Sequence, residues 1–572
     1  MSAGIACTLV WPAGWPVRRK LARPIGPSSR VYVAFGMAAV IGLAVFTIWW
    51  MTAPKGPATR AEAPVPPTSA LVPSNSGPPG SAPVEAGLPR GGALAGSTDA
   101  PDEALARLTH ATLVRINRST DRVEPCLAES WTVSADNLVY IFKLRPGIRW
   151  SDGTPLTADD LVTSLAAVQV SGTPLAARVL DPQTIEVTFA APFAPGLRIL
   201  DGHPILPRHK PVDTVGLGPF VAPAVKKGPG LRTIHKLVRN PHYWRNGPDG
   251  LPLPYIDELT LGEGSPGQQD FADSAIRPDD YEELKKLEQN NKARLFELGP
   301  GLDADALWFL PAVASAKVGD LDRPWLTSET FRLAISAAVD RREYCKQVFF
   351  GACDPILLPV TPANVAWFNP DLPLGRANPQ VAREMLAGLG LRDRSGDGIL
   401  EDATRRPVRF SLLIRRDVPS SARAAVFLKD TLRVVGVEVE VTPLDANALR
   451  ARRLKGNYDA IYDRIRFRDT DPAMSLDFWL SSGEAHVWMT HEAFDWERRI
   501  DQLMLKNAAT FDRVERLQAF VEVQRIYGQH MPALFFGAPH VRLFTSTRVL
   551  NATPSPLRPH LLWNAENLAA LK

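Results

Sequence analysis

An uncharged apolar run from Val31 to Met51 (VYVAFGMAAVIGLAVFTIWWM), succeeded by a tract of Pro, Ala, Gly and Ser that continues to about Ala100, limits where this chain can build a packed fold. The run has about the 20 residues a helix needs to cross a bilayer, and Trp49 and Trp50 stand where indoles settle at an interface. Arg18, Arg19, Lys20, Arg23 and Arg30 precede it. By the positive-inside rule residues 1–30 are a basic cytoplasmic N-terminus, and the bulk of the chain is periplasmic or extracellular, anchored to the inner membrane. A cleaved signal peptide has the same basic start and apolar core. No small-residue cleavage site and no lipid-accepting cysteine follow the run, which favours an uncleaved transmembrane helix over 31–51. Residues 52–100 lack apolar periodicity and read as a disordered tether of ~40 Å root-mean-square reach.

The packed part therefore lies beyond the tether, and its length requires more than one hydrophobic core. Charges nearly cancel, 65 basic against 61 acidic, so no basic footprint for nucleic acid exists. Cys7, Cys126, Cys345 and Cys353 offer neither a metal knuckle nor a redox pair. Cys345 and Cys353 are the candidates for a disulfide in an exported chain, provided the helix carrying the first ends near Gly351. No nucleophile elbow, phosphate loop or zinc-protease motif is present, so neither an enzyme nor a cofactor is expected.

Val139 to Leu144 (VYIFKL) alternates as a strand, Asp152-Gly153 makes a turn, and a helix starts after Thr157 with Asp159 and Asp160 in its first turn. Val408 to Ile414, Ser421 to Val435 and Val437 to Val441 read as strand, helix and strand, a βαβ unit. Two later helices carry Trp496, Ile500 and Leu503 on one face, and Val514, Leu517 and Val521 on another. The class is α/β. Asp393 to Thr404 (DRSGDGILEDAT) imitates a calcium loop, but Thr404 stands where a bidentate Glu belongs, so a polar turn is expected and no metal.

Leu127 to Leu165 (LAESWTVSADNLVYIFKLRPGIRWSDGTPLTADDLVTSL) closely resembles the signature of family 5 of the ABC-transporter solute-binding proteins, the oligopeptide, dipeptide and nickel branch. GLGPF (216–220), RNPHYW (239–244), LPLPYID (251–257), FRLAISAAVDRREY (331–344), Asp471-Pro472 and WERRIDQL (496–503) follow in order, so the resemblance covers roughly residues 105 to 550. Asn137 replaces a usual glycine but tolerates the same left-handed turn. The resemblance implies a type II, two-lobed periplasmic-binding-protein-like (Venus-flytrap) fold with an extra N-terminal subdomain: 101–300 as lobe I, 301–485 as lobe II, 486–572 as a return to lobe I. It implies a monomer that closes around a small-molecule or peptide ligand and delivers it to ABC permease subunits. A membrane-tethered sensor that keeps the fold without import is the alternative.

Peptide binders of that family place an aspartate three residues before the Asp of this Asp-Pro step to accept the peptide ammonium; here Arg468 stands there, with Asp469 and Asp471 nearby. Arg464, Arg466 and Arg468 alternate, which on a strand makes a basic ladder suited to an anionic ligand, or else a solvated strand edge. Trp308, Trp479 and Trp488 are, by analogy, candidates for stacking on a ligand, with core packing as the alternative.

Overall fold

The computed structural model describes residues 88–98, 101–211, 215–223, 235–262, 268–273, 276–310, 323–372, 374–487 and 494–571. The expected cytoplasmic start, transmembrane helix and most of the tether lie outside the described residues, as does Trp488. Among the described residues no helix is long and apolar enough to cross a membrane.

The tether ends earlier than its composition suggests. Ala93–Thr98 is a strand, β1, paired in parallel with Glu258–Leu261 on one side and Phe271–Asp273 on the other. Its small residues have a packing reason, because a Cβ at Gly96 would overlap the Phe271 ring. Helix α1 (Pro101–Thr109) and a hairpin of β2 (Val114–Asn117) and β3 (Arg122–Pro125) follow.

A subdomain comes next, an antiparallel sheet of β4 (Ala128–Val133), β5 (Val139–Leu144), β6 (Ala176–Asp181) and β7 (Thr184–Thr188) in the order β4-β5-β7-β6. The two-residue period of β5 buries Tyr140, Phe142 and Leu144 on one face. Asn137 takes the left-handed turn before it, with φ of 59°. Helix α2 (Ala158–Leu165) covers this sheet, and the Asp160 carboxylate reaches back to accept the Thr157 N–H at 3.0 Å. The Thr157 hydroxyl donates to the same carboxylate at 2.8 Å. Trp150 is buried in the subdomain core and Trp131 packs against it. The short helix α3 (Gly196–Asp201) lies against β2.

The main sheet resumes with β8 (Phe220–Val221), β9 (His235–Arg239), β10 (Glu258–Leu261), β11 (Phe271–Asp273) and β12 (Ala293–Pro300). The chain then passes into a second core with β13 (Ala304–Phe309), helix α4 (Arg341–Phe349) and β14 (Cys353–Pro355). Cys345 and Cys353 are joined by a disulfide that ties α4 to β14. The predicted βαβ unit is β15 (Arg409–Arg415), α5 (Pro419–Arg433) and β16 (Glu438–Leu444), the strands parallel. Then come β17 (Ala460–Ile465), α6 (Asp495–Ala509) and α7 (Arg513–His530).

The last long strand, β18 (Ala533–Ser546), pairs with β13 and β14 through its first half and with β12 and β11 through its second. One strand thus serves both cores, in the order β8-β9-β10-β1-β11-β18-β13-β17-β15-β16. The chain leaves the first core through 301–303 and returns through 537–540. That return comes later than the expected 486, because α6 and α7 bury Ile500, Phe520 and Tyr527 with Trp308 and Ile461 in the second core. The face expected of α7 is also corrected: Val514 and Val521 are exposed, and Ala519, Phe520, Val523 and Tyr527 are buried. Apolar residues surround that helix, so spacing alone does not select a side.

Candidate functional site

A cavity of about 320 Å³ lies where α1, the β2–β3 hairpin and α3 meet the segment after β17 and the C-terminal turn around Glu566. Its wall is built from arginine–carboxylate pairs. Asp201, the last residue of α3, accepts the Ile116 N–H at 2.8 Å, Arg118 Nη2 at 2.7 Å and Arg107 Nη2 at 3.1 Å. Burial alone would raise this carboxyl, but the two guanidiniums outweigh it and hold Asp201 below the usual carboxylate range. Glu566 accepts Arg115 and Arg245, each at 2.8 Å; burial again opposes and the arginines again prevail.

Arg198 on α3 joins the two cores. Its Nε donates to Asp469 Oδ1 at 2.7 Å, and its Nη2 to Asp121 Oδ1 at 2.7 Å and the Thr470 hydroxyl at 3.0 Å. Desolvation penalises the cation, yet Asp469 and Asp121 push its pKa up. Beside these pairs, burial pushes His110 down to about 4, so the ring is neutral near pH 7, and its Nδ1 has no hydrogen-bond partner.

Of the residues expected at a pocket, the structure brings Arg468 and Asp469 to this cavity. Arg464 is elsewhere: its Nε donates to buried Asp305 at 2.7 Å, a carboxylate that also accepts the Tyr344 and Tyr462 hydroxyls at 3.0 and 2.9 Å. The ladder does not form, because β17 ends at Ile465 and the two-residue period ends with it. Nor is β17 an edge, since it lies between β13 and β15. Arg466 is exposed and off the cavity. Asp471 is structural, accepting the Ala473 N–H at 3.0 Å and Arg516 Nη2 at 2.7 Å. Trp308 and Trp479, each 2% exposed, pack in the second core and leave no face for a ligand.

The residues missed by sequence reasoning are Arg107, Arg115, Arg118, Arg198, Asp201, Arg245 and Glu566. Each is a single charge in a segment without a chemical motif, and no spacing signal marks it. In the calcium-like segment, Asp393 accepts the N–H groups of Gly396 and Gly398 at 2.7 and 3.0 Å, a polar turn. Among the described residues no group of His, Cys, Asp or Glu is arranged to hold a metal.

Residues 122–486 match the family model described as "Bacterial extracellular solute-binding proteins, family 5 Middle". A Deinococcus radiodurans protein named "Probable ABC transporter-binding protein" is 23% identical over 511 residues, covering 77% of this chain and 84% of the relative. The oligopeptide-binding protein AppA of Bacillus subtilis is 24% identical over 485 residues, covering 78% and 83%. The solved structure of AppA in complex with a nonapeptide shares the fold with a TM-score of 0.69 at 21% identity, covering 85% of this chain and 100% of that one.

Proposed function

The chain belongs to the bacterial extracellular solute-binding proteins, family 5, and from that premise we propose that it captures a small solute, peptide-like or anionic, and presents it to the permease subunits of an ABC importer. The observation that carries this reading is the composition of the cavity wall. Arg468 and Asp469 come from the segment that leaves β17 of the second core, while Arg107, Arg118 and Arg198 come from the first and its subdomain. A solute held there touches both halves. It stabilises their shut arrangement by as much as it binds that arrangement better than an open one. Such closure needs movement only where the chain crosses, at 301–303 and 537–540.

The relatives are named as an ABC transporter-binding protein and an oligopeptide-binding protein, which supports a carrier rather than an enzyme. The apolar run at 31–51 supports attachment to the cytoplasmic membrane, with the packed part outside. The test is a thermal-shift screen of the full-length protein in detergent against short peptides, organic acids and sugars. Capture predicts a rise in melting temperature that grows with solute concentration. A panel with no such rise would remove the proposal.

A further inference from the structure

The charged groups around the cavity are engaged with one another, with one exception. Asp201 is bonded to Arg107 and Arg118, Glu566 to Arg115 and Arg245, and Asp469 to Arg198. Glu103 lies 3.7 Å from Arg107. Behind the wall, Asp121 and Glu124 complete the pairing of Arg198 and Arg115. Arg468 lines the same cavity, is exposed, and makes no hydrogen bond or ion pair with any described residue.

This arrangement discriminates by charge. The side chains of Asp201, Glu566 and Asp469 are only 4%, 7% and 9% exposed, so an entering ammonium has to displace a guanidinium from one of them. Displacement strands a buried charge. An anion instead meets the Arg468 guanidinium with its donors unused, in a fork that matches a carboxylate. The paired ring is close to neutral overall, so the preference comes from the place of the unpaired cation rather than from the net field. Ile116, Met474 and Leu562 supply apolar wall. The volume, about 320 Å³, is at the lower end for small-molecule sites.

Resting on the capture reading above, we infer that the solute is a small organic monoanion without a free ammonium group, of about dipeptide size, and that Arg468 binds its anionic end. The specificity-determining residue is Arg468.

Isothermal titration of the full-length protein in detergent with three probes on one skeleton tests this: N-acetyl-alanylalanine, alanylalanine and alanylalanine amide. The acetylated acid binds tightest. Arg468→Ala weakens it by about tenfold or more, the loss expected for a hydrogen bond to a charged group. Arg466→Ala, exposed but off the cavity, leaves its affinity unchanged, and Arg468→Asp shifts preference toward the amide. Both Arg468 variants keep the ligand-free melting temperature, because Arg468 supports no other group. Equal or tighter binding of the amide or the free dipeptide overturns the charge assignment alone. Binding that survives Arg468→Ala overturns the place assigned to the anion. Failure of all three probes overturns the monoanion, and the capture reading as well if the wider thermal-shift panel is equally silent.

Discussion

His110 shows what burial does to one side chain at this site. Its pKa falls from 6.5 to about 4 on burial. Between those values the unfolded chain binds a proton that the folded chain refuses, so stability falls as pH drops from about 6.5 to about 4. The loss is on the order of 2–3 kcal/mol across that window. Urea denaturation at stepwise pH should show His110→Gln with a flatter acid limb than the parent, and identical limbs would assign the acid sensitivity to other groups. Asp201 gives the opposite kind of case. It holds its charge because two arginines surround it, and Asp201→Asn leaves both without that counter-ion. The expected cost is about 3–5 kcal/mol in urea denaturation at pH 7. By contrast Arg178→Ala, which breaks a solvent-exposed pair with Glu186, should destabilise the fold far less than Asp201→Asn in the same urea titration. Equal losses at the two sites would mean that Asp201 re-solvates easily. None of this was legible in the sequence: Asp201 ends an ordinary apolar turn of helix, and only burial between Arg107 and Arg118 gives it a role.

Among the secondary-structure elements, the legible ones were those whose local pattern admits one answer. Strand β5 alternates cleanly, the βαβ unit of β15, α5 and β16 carries its own strand and helix periods, and Asp160 marks the start of α2. The elements misread are those whose local pattern admits more than one answer. Gly96 and the alanines of β1 look like linker until Phe271 is placed on them, and the exposed arginines after Ile465 look like strand until β17 is seen to end. The first of these has a direct consequence for truncation. A fragment starting at residue 88 keeps β1, its pairing with β10 and β11, and the Gly91 N–H bond to the Tyr255 carbonyl at 2.9 Å. A fragment starting at residue 99 opens a gap inside the sheet and removes Leu94, which is 1% exposed. Cooperative thermal unfolding should survive the first cut and be lost or strongly broadened after the second. Equivalent transitions would show that β1 adds nothing to the first core.

At the scale of the whole molecule, the site joins residues no local reading can associate: Arg198 and Asp469 are 271 positions apart, and Arg115 and Glu566 are 451 apart. The family motifs announce the two cores but not the contacts between them. Those contacts combine apolar and polar parts. Ala473 and Ala508 of the second half enter the subdomain core, the Ala194 N–H donates to the Ala508 carbonyl at 2.6 Å, and Arg198 bonds Asp469. Removing the guanidinium with Arg198→Ala leaves the Asp469 carboxylate, 9% exposed, without its cation. A stranded buried charge costs about 3–5 kcal/mol, and separating the halves returns the carboxylate to water. Open and shut forms of such proteins differ by only a few kcal/mol. The variant should therefore shift toward the open form, seen by small-angle scattering of the 88–572 fragment as a larger radius of gyration without solute. N-acetyl-alanylalanine should contract it again, since Arg468 is intact. An unchanged radius would show that Arg198 does not hold the halves together and that the Ala473 and Ala508 contacts do so alone.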